Sequence, residues 1–268
     1  MASRLFELFL KYRTALPLCA FLLYLNTAKT VSGGIGPEAF LCGLSFFILV
    51  QLSYIYDSLF RTREDAVNLP GAPEGTGRAW PVFAAAAAPA AYIAWLGFWP
   101  MIAIAFLIIP FYSDPSLTGR RLKSLPIVKS LVSVLNFWLV GIVVPVVLVH
   151  DLSAALLLSL LRSSGPLLFF VFLLTVVLDI RDVQGDSEGG VDTIPVLIGP
   201  RVTAAAAGAL FAAGAWYLLS VGKTYICVLL VLLSVFSFLA VKPRGRAFYE
   251  WMLAAVNAFL AARLFLPA

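Results

Sequence analysis

Three aspartates follow an apolar run at a spacing that would allow them to act together in binding a cation. Asp179, Asp182 and Asp186 lie in the segment TVVLDIRDVQGDSEGGVDTIPVLIG, residues 175–199, of a chain that is otherwise poor in charge. If the helix continues beyond its apolar part, the spacing i, i+3, i+7 places all three carboxylates on one face. Carboxylates this close repel one another unless cations neutralise them. Mg²⁺ is the natural partner, because it takes oxygen ligands and typically joins one or two carboxylates to substrate phosphates.

Two further polar segments could complete such a site. The first is a cluster spaced i, i+4, i+7, i+8 and i+11, again one helical face, formed by Asp57, Arg61, Glu64, Asp65 and Asn68. The second is FYSDPSLTGRRLKSLP, whose Arg120, Arg121 and Lys123 precede another apolar run. Acids with bound metal, facing basic side chains, form a site for a polyanion such as diphosphate. A diphosphate with a lipid-soluble tail suits a site of this kind at a membrane surface.

The elements that position these residues are predicted to lie in lipid. Of the 268 residues, 62% are hydrophobic and 12% are charged, whereas a soluble domain carries about 25% charged residues. Lipid leaves backbone groups no partner outside a helix, so we expect an all-α, integral membrane bundle around a central cavity, forming one domain over residues 1–268. Nine transmembrane helices are predicted, at about 14–31, 38–57, 80–96, 98–112, 126–149, 153–179, 203–220, 224–241 and 247–266.

Two of these boundaries rest on chain breakers. The sequence GFWP, residues 97–100, is all that divides the third span from the fourth. The sixth span is interrupted by Arg162 and by Gly165-Pro166, which predicts a kink or an interfacial first half.

The basic residues orient the bundle. If the N-terminus is cytoplasmic, 15 of the 19 lysines and arginines fall on the cytoplasmic side, as the positive-inside rule expects. Three charged loops, 57–79, 112–125 and 179–202, then share that side. Nine of the 14 acids lie in the first and third of these loops. Because acids barely affect topology, their clustering requires a chemical reason.

Several other functions are not expected. The single histidine, His150, and three cysteines without a CxxC spacing support neither a His-based metal site nor a zinc site or disulfide framework. The net charge of +5 reflects topology, and no basic run carries aromatic partners, so we expect no nucleic-acid partner. A transporter would place ionisable residues deep within its spans, and only Arg162 meets that condition.

The third charged loop resembles a known family. DIRDVQGDSEGGVDTIPVLIG is similar to the second aspartate-rich motif of the UbiA-type intramembrane prenyltransferases, D-x-x-D-x-x-x-D followed by a glycine and T-[IL]-P-V-x-x-G. The residues in register are Asp179, Asp182, Asp186, Gly190, Thr193, Pro195, Val196 and Gly199. The segment YS…RRLKSLP resembles the family's tyrosine and basic segment between the fourth and fifth spans, through Tyr112, Ser113, Arg121 and Lys123. Since the span count also agrees, the resemblance covers the whole chain.

The first loop departs from the family pattern, N-x-x-x-D-x-x-x-D-x-x-N-x-P-x-R-P with a glycine four residues on. The aligned residues are Asp57, Arg61, Asp65, Asn68, Pro70, Ala72, Pro73 and Gly77. The asparagine has become Asp57, the middle aspartate Arg61 and the arginine Ala72, which changes the ligands expected at the first metal site. Arg61 could bind diphosphate directly in place of part of one Mg²⁺, and Arg78 could supply the charge lost at Ala72.

The resemblance implies prenyl transfer that depends on Mg²⁺. A prenyl diphosphate donor would be bound by Mg²⁺ and basic side chains, and a small hydrophobic, aromatic or lipid-like acceptor would attack C1. The residues that it implies as metal-linked are Asp65, Asp179, Asp182 and Asp186, of which Asp65, Asp182 and Asp186 are also catalytic candidates together with Lys123. The substrate contacts that it implies are Asp57, Arg61, Asn68, Arg78, Tyr112, Arg121 and Lys123.

Three alternatives stay open from the sequence. The altered first motif is compatible with a UbiA-type terpene synthase that cyclises a prenyl diphosphate, or with a non-catalytic binding or assembly protein. Each polar cluster also has an explanation without a catalytic or binding role. The three aspartates could form a solvated helix end, the basic segment 120–123 could be a positive-inside anchor, and the cluster from Asp57 to Asn68 could be a charged loop.

Overall fold

The computed structural model describes residues 14–59, 67–68, 80–113, 122–125 and 127–266, and helices dominate this part of the chain. The helices are α1 (Ala15–Ser32), α2 (Pro37–Leu59), α3 (Trp80–Ile93), α4 (Trp99–Ser113), α5 (Val128–Trp138), α6 (Ala154–Asp179), α7 (Val183–Gly189), α8 (Ile194–Ile198), α9 (Pro200–Ser220), α10 (Thr224–Leu239) and α11 (Arg246–Phe265). Turns of π-helix, Ala94–Phe98 and Leu139–Val143, follow α3 and α5, and Val144–Val147 extends α5. Short 3₁₀ turns, Leu122–Ser124 and Ile180–Asp182, precede α5 and join α6 to α7.

The all-helical membrane bundle predicted from the sequence is confirmed. Within the described residues, each predicted span coincides with a helix, and the boundaries differ by a few residues. Five helical runs are long and apolar enough to cross a bilayer by themselves, and α10 is a shorter apolar helix. These runs are Pro37–Asp57, Trp80–Ser113, Val128–Val147, Ala154–Gly189 and Pro200–Ser220.

The predicted break between the third and fourth spans falls at Gly97. The run Trp80–Ser113 has 34 residues and would be roughly 50 Å long as a straight helix, which exceeds a hydrocarbon core of about 30 Å. Gly97 adopts φ 90°, a backbone conformation that favours glycine, and this interrupts the helix. Exposed tryptophans flank the break, Trp95 at 77% and Trp99 at 64% exposure, as expected near a membrane interface. By contrast, α6 continues through Pro166 as one helix.

The terminal helices α1 and α11 carry polar side chains that bond each other's backbone. Asn26 Nδ2 donates to the carbonyl of Leu260 at 2.8 Å. At the other end of the pair, Asn257 Nδ2 donates to the carbonyl of Ala15 at 2.9 Å. Hydrogen bonds of this kind hold helices together where water is absent. They join the two ends of the described chain into one bundle.

Helices α1 and α2 approach each other closely at Gly43. A Cβ added at Gly43 of α2 would lie 2.5 Å from Cδ1 of Tyr24, a fully buried side chain of α1. In the turn between the two helices, a Cβ added at Gly34 would meet no atom within 4 Å. Only the first glycine is therefore required by packing.

We expect Gly43→Ala to lower the thermal unfolding midpoint of the detergent-purified protein, because overpacking a tight contact costs about 1–3 kcal/mol. Gly34→Ala is the matched control and should leave the midpoint unchanged or raise it slightly. Equal midpoints for the two variants would show that α1 and α2 are not in close contact at Gly43.

Candidate functional site

A cavity of about 440 Å³ lies where several helix ends meet. Apolar side chains of α2, α4, α5 and the π-helical turn after α5 line most of it, among them Phe46, Ile108 and Leu139. Polar side chains gather at the C-terminal ends of α2, α4 and α6 and at the N-terminal ends of α5 and α11; we call this part the mouth. The mouth is formed by Asp57, Asn68, Tyr112, Lys129, Ser130, Asp179, Arg181, Asp182, Asp186 and Glu250.

The three aspartates of the third loop all lie at the mouth and are buried. Asp179 ends α6, Asp182 closes the 3₁₀ turn and Asp186 lies in α7. Their exposures are 6%, 2% and 3%. The alternative that this segment is a solvated acidic helix end is therefore wrong.

Two glycines shape the chain that closes the segment. Gly190 ends α7 with φ 68°, and Gly199 separates α8 from α9 with φ 90°. Both values lie in the left-handed region that favours glycine. This gives a structural reason for the two glycines found in register with the motif.

Lys129, at the start of α5, joins two of the aspartates. Its Nζ atom lies 2.9 Å from Asp179 Oδ1 and 3.3 Å from Asp186 Oδ2. The neighbouring Ser130 donates its hydroxyl to Asp179 Oδ2 at 3.3 Å. The lysine side chain is 23% exposed, whereas the two carboxylate side chains are 9% and 4% exposed. Helix α5 thus supplies the cation that holds the ends of the acidic segment together.

The third aspartate is paired with its chain neighbour, Arg181. The guanidinium donates from Nε to Asp182 Oδ1 at 2.9 Å and from Nη2 to Asp182 Oδ2 at 3.0 Å. Its Nη1 donates to Glu250 Oε1 of α11 at 2.8 Å, and Arg246 Nε lies 3.6 Å from the same oxygen. This buried network ties the acidic segment to the last helix.

The first loop reaches the third loop through Asn68. Its amide donates to Asp186 Oδ1 at 3.3 Å, and its side-chain oxygen accepts from the backbone N–H of Gly185 at 3.1 Å. Its backbone carbonyl accepts from Arg246 at 3.1 Å. The described end of the first cluster therefore lies against the aspartate segment, on the same side of the bundle.

The remaining predicted residues have different outcomes. Asp57 and Tyr112 line the cavity with Asn68. The predicted residues that lie outside the described part of the chain are Arg61, Asp65, Arg78 and Arg121. Lys123 belongs to the 3₁₀ turn Leu122–Ser124, but its side chain is likewise outside the described part.

Solved structures identify the fold, although no family model and no curated protein matches the sequence at a significant level. A UbiA homologue from Archaeoglobus fulgidus, bound to DMAPP and Mg²⁺, is similar with a TM-score of 0.61 at 18% identity, over 96% of this chain and 98% of that one. A UbiA homologue from Aeropyrum pernix K1 gives a TM-score of 0.62 at 18% identity, over 92% and 96%. The chain has the UbiA fold.

A third match repeats this result with another ligand. The Archaeoglobus fulgidus homologue bound to GPP and Mg²⁺ has a TM-score of 0.56 at 21% identity, over 96% of this chain and all of that one. The UbiA fold predicted from the aspartate motif is thereby confirmed. At these identities the likeness establishes the architecture alone.

The charges at the mouth of this UbiA fold fit a divalent cation. Among the described residues that line the cavity, five are acids and two are bases, which leaves a formal net charge of −3. No three histidine, cysteine or acidic side chains of the described ranges gather closely enough to hold a metal ion. Mg²⁺ does not need such a trio, because it commonly binds one or two carboxylates and completes its shell with waters and phosphate oxygens. The oxygen donors present match that preference.

Sequence reasoning missed four residues of the mouth: Lys129, Ser130, Arg181 and Glu250. In the sequence Lys129 is one of the 15 basic residues expected on the cytoplasmic side, and Glu250 lies outside the acid-rich loops. Their roles depend on contacts between helices that are far apart in sequence. One signal was available: Glu250 is an acid in an apolar terminal span, and such residues are usually buried for a reason.

We expect Glu250→Gln to lower the thermal unfolding midpoint, because it removes one of the two negative partners of Arg181, a largely buried arginine. The cost should be below the roughly 3–5 kcal/mol of leaving a buried charge unpaired, because Asp182 keeps its bonds to the guanidinium. The exposed acid Glu38, at the start of α2, provides the control. If Glu250→Gln and Glu38→Gln unfold at the same temperature as the wild type, the Arg181–Glu250 contact does not stabilise the bundle.

Proposed function

We propose that this protein is an intramembrane prenyltransferase, which transfers an isoprenoid group from a prenyl diphosphate to an aromatic or lipid-like acceptor. The observation that carries the proposal is a buried acidic mouth at the end of an apolar cavity. Solved UbiA homologues of the same fold hold DMAPP or GPP together with Mg²⁺. Such ligands have a polyanionic head and an apolar tail, which match the two parts of the cavity.

The head group is assigned to the mouth. Asp179, Asp182 and Asp186, with Asp65 of the first loop, would hold Mg²⁺. When bound, the ion neutralises the charge that grows on the departing diphosphate. Additional positive charge for the phosphate oxygens is assigned to the basic residues of the first two loops, Arg61, Arg78, Arg121 and Lys123.

Three neutral or acidic residues of the mouth take supporting roles. Tyr112, on the cavity wall, is assigned to orient the head group. Asn68 keeps Asp186 and the α7 backbone in place through its two side-chain hydrogen bonds. Asp57 lines the same wall and is assigned as a further supporting ligand.

The tail and the acceptor are assigned to the apolar body of the cavity. During transfer the bond between C1 of the prenyl group and the diphosphate oxygen breaks, and the electron pair leaves with diphosphate. The allylic cation then lies among apolar side chains such as Ile108 and Leu139, which keep water away. The acceptor forms a bond to C1 and gives up a proton, so the products are the prenylated acceptor and diphosphate.

We place the mouth on the cytoplasmic side of the membrane. The distribution of basic residues supports this orientation, with 15 of the 19 on the side of the three charged loops. A water-soluble diphosphate could then reach the mouth from the cytoplasm, while a lipophilic acceptor enters from the bilayer.

The proposal is tested with purified protein, Mg²⁺ and labelled C10, C15 and C20 prenyl diphosphates, followed by extraction of lipid products and measurement of released diphosphate. We expect release with at least one donor. Asp182→Asn should reduce it by about 100-fold or more, the usual effect of removing one group that stabilises transition-state charge. Asp151→Asn, at an exposed loop acid, is the control and should keep full activity.

The products separate the remaining alternatives. A prenylated lipid or aromatic product supports a transferase, whereas a cyclic hydrocarbon or alcohol formed without acceptor identifies a terpene synthase of the same fold. A folded wild type that releases no diphosphate with any donor would favour a binding or assembly protein. Equal turnover by Asp182→Asn and wild type would remove the aspartate segment from the mechanism.

A further inference from the structure

We infer that Lys129 is a built-in cation of the diphosphate site, and that it takes the place of a divalent ion between Asp179 and Asp186. This inference rests on the proposed function and extends it to the number of ions that the site uses. An ammonium group fixed in the chain would supply positive charge permanently, whereas an exchangeable ion supplies it only when bound.

The geometry of the contact supports this role. Asp179 and Asp186 are seven residues apart, and Lys129 Nζ contacts one oxygen of each, at 2.9 Å and 3.3 Å. The lysine comes from another helix, α5, so the contact is a tertiary feature of the bundle. An ammonium is a compact point charge with three donors, which allows it to bridge two carboxylates as a small cation would.

The surroundings of Lys129 place it within the substrate cavity. Its side chain lines the cavity together with Asp57, Tyr112 and Asn136. Its side chain is 23% exposed, compared with 9% and 4% for the side chains of Asp179 and Asp186. Lys129 therefore borders the space that the diphosphate head is proposed to occupy.

Lys129 sets the expected number of ions. The proposed function places one Mg²⁺ at the mouth, and Lys129 Nζ already occupies the position between Asp179 and Asp186 that a further small cation would take. A site with the lysine is therefore expected to take one divalent ion before the diphosphate arrives, and a site with a neutral side chain at position 129 is expected to take two.

The experiment counts bound ions in the detergent-purified full chain, using Mn²⁺ as the probe, electron paramagnetic resonance as the readout and no prenyl diphosphate. We expect the wild type to bind one Mn²⁺ per chain and Lys129→Met to bind two. Lys129→Arg keeps the positive charge and should bind one. Lys223→Met removes an exposed lysine at the start of α10 and should also bind one.

Turnover provides a second readout. The rate of diphosphate release should depend on Mg²⁺ concentration to first order in the wild type and to second order in Lys129→Met. At Mg²⁺ concentrations that saturate the wild type, the variant should be slower by at least tenfold, and excess Mg²⁺ should restore part of the loss.

The possible results are distinguishable. Two Mn²⁺ ions in the wild type, or equal counts in the wild type and Lys129→Met, would overturn the assignment, and the wild-type count decides the matter even if the variant does not fold. If the counts differ as expected but no donor releases diphosphate, the cation role stands and the proposed function fails. If diphosphate is released and the counts are equal, the proposed function stands and the role of Lys129 fails.

Discussion

The structure of the mouth depends on neutralising carboxylates that the fold removes from water. Asp179, Asp182 and Asp186 are each less than a tenth exposed, and Asp179 ends a long helix, where the dipole disfavours negative charge. An unpartnered buried carboxylate costs several kcal/mol. The partners come from outside α6: Lys129 from α5, Asn68 from the first loop, and Glu250 from α11 as the second acceptor of Arg181. The position of the acidic segment is therefore a property of the whole bundle, and a change in any of these helices would be felt at the carboxylates.

Lipid explains why these groups all meet at one end. A helix in a bilayer satisfies its own backbone, so the interior of the bundle can be apolar, and charge is tolerated where helices leave the hydrocarbon core. The ends of α2, α4 and α6 and the starts of α5 and α11 meet around the same cavity. The cavity is therefore divided into a charged end and an apolar body, and the prenyl diphosphate of the proposed function is divided in the same way into an anionic head and an apolar tail. Away from the mouth, polar contacts between helices include those of Asn26 and Asn257, whose amides bond the backbone of the opposite terminal helix, and that of Ser234, whose hydroxyl donates to the carbonyl of Gly208.

The sequence was sufficient to predict the helices and to assign one of the acidic segments to the site. Hydrophobic runs predict the spans because the bilayer imposes the length and composition of a helix that crosses it. The break between the third and fourth spans could be predicted because it needs a φ of 90°, which favours glycine, and Gly97 is at that position. The aspartate spacing placed three carboxylates at one site because helical periodicity is local. Lys129 and Glu250 could not be assigned in this way. Their partners are 50 and 69 residues away in sequence, counted from Lys129 to Asp179 and from Arg181 to Glu250, and no local pattern encodes which helix ends will touch. Pro166 shows that a strong local breaker can lie within one continuous helix, so the predicted kink stays a prediction.

A cation belonging to the chain and a cation taken from solution differ in one respect that bears on turnover. A bound Mg²⁺ can leave with the diphosphate product, so the charge that stabilised the leaving group is removed together with it. Under the proposed function, Lys129 would stay, and its attraction for diphosphate would persist after the chemical step. The neighbouring carboxylates limit that attraction, because Asp179 and Asp186 compete for the ammonium at 2.9 Å and 3.3 Å. Under the proposed function, this competition would favour release of the diphosphate after each transfer.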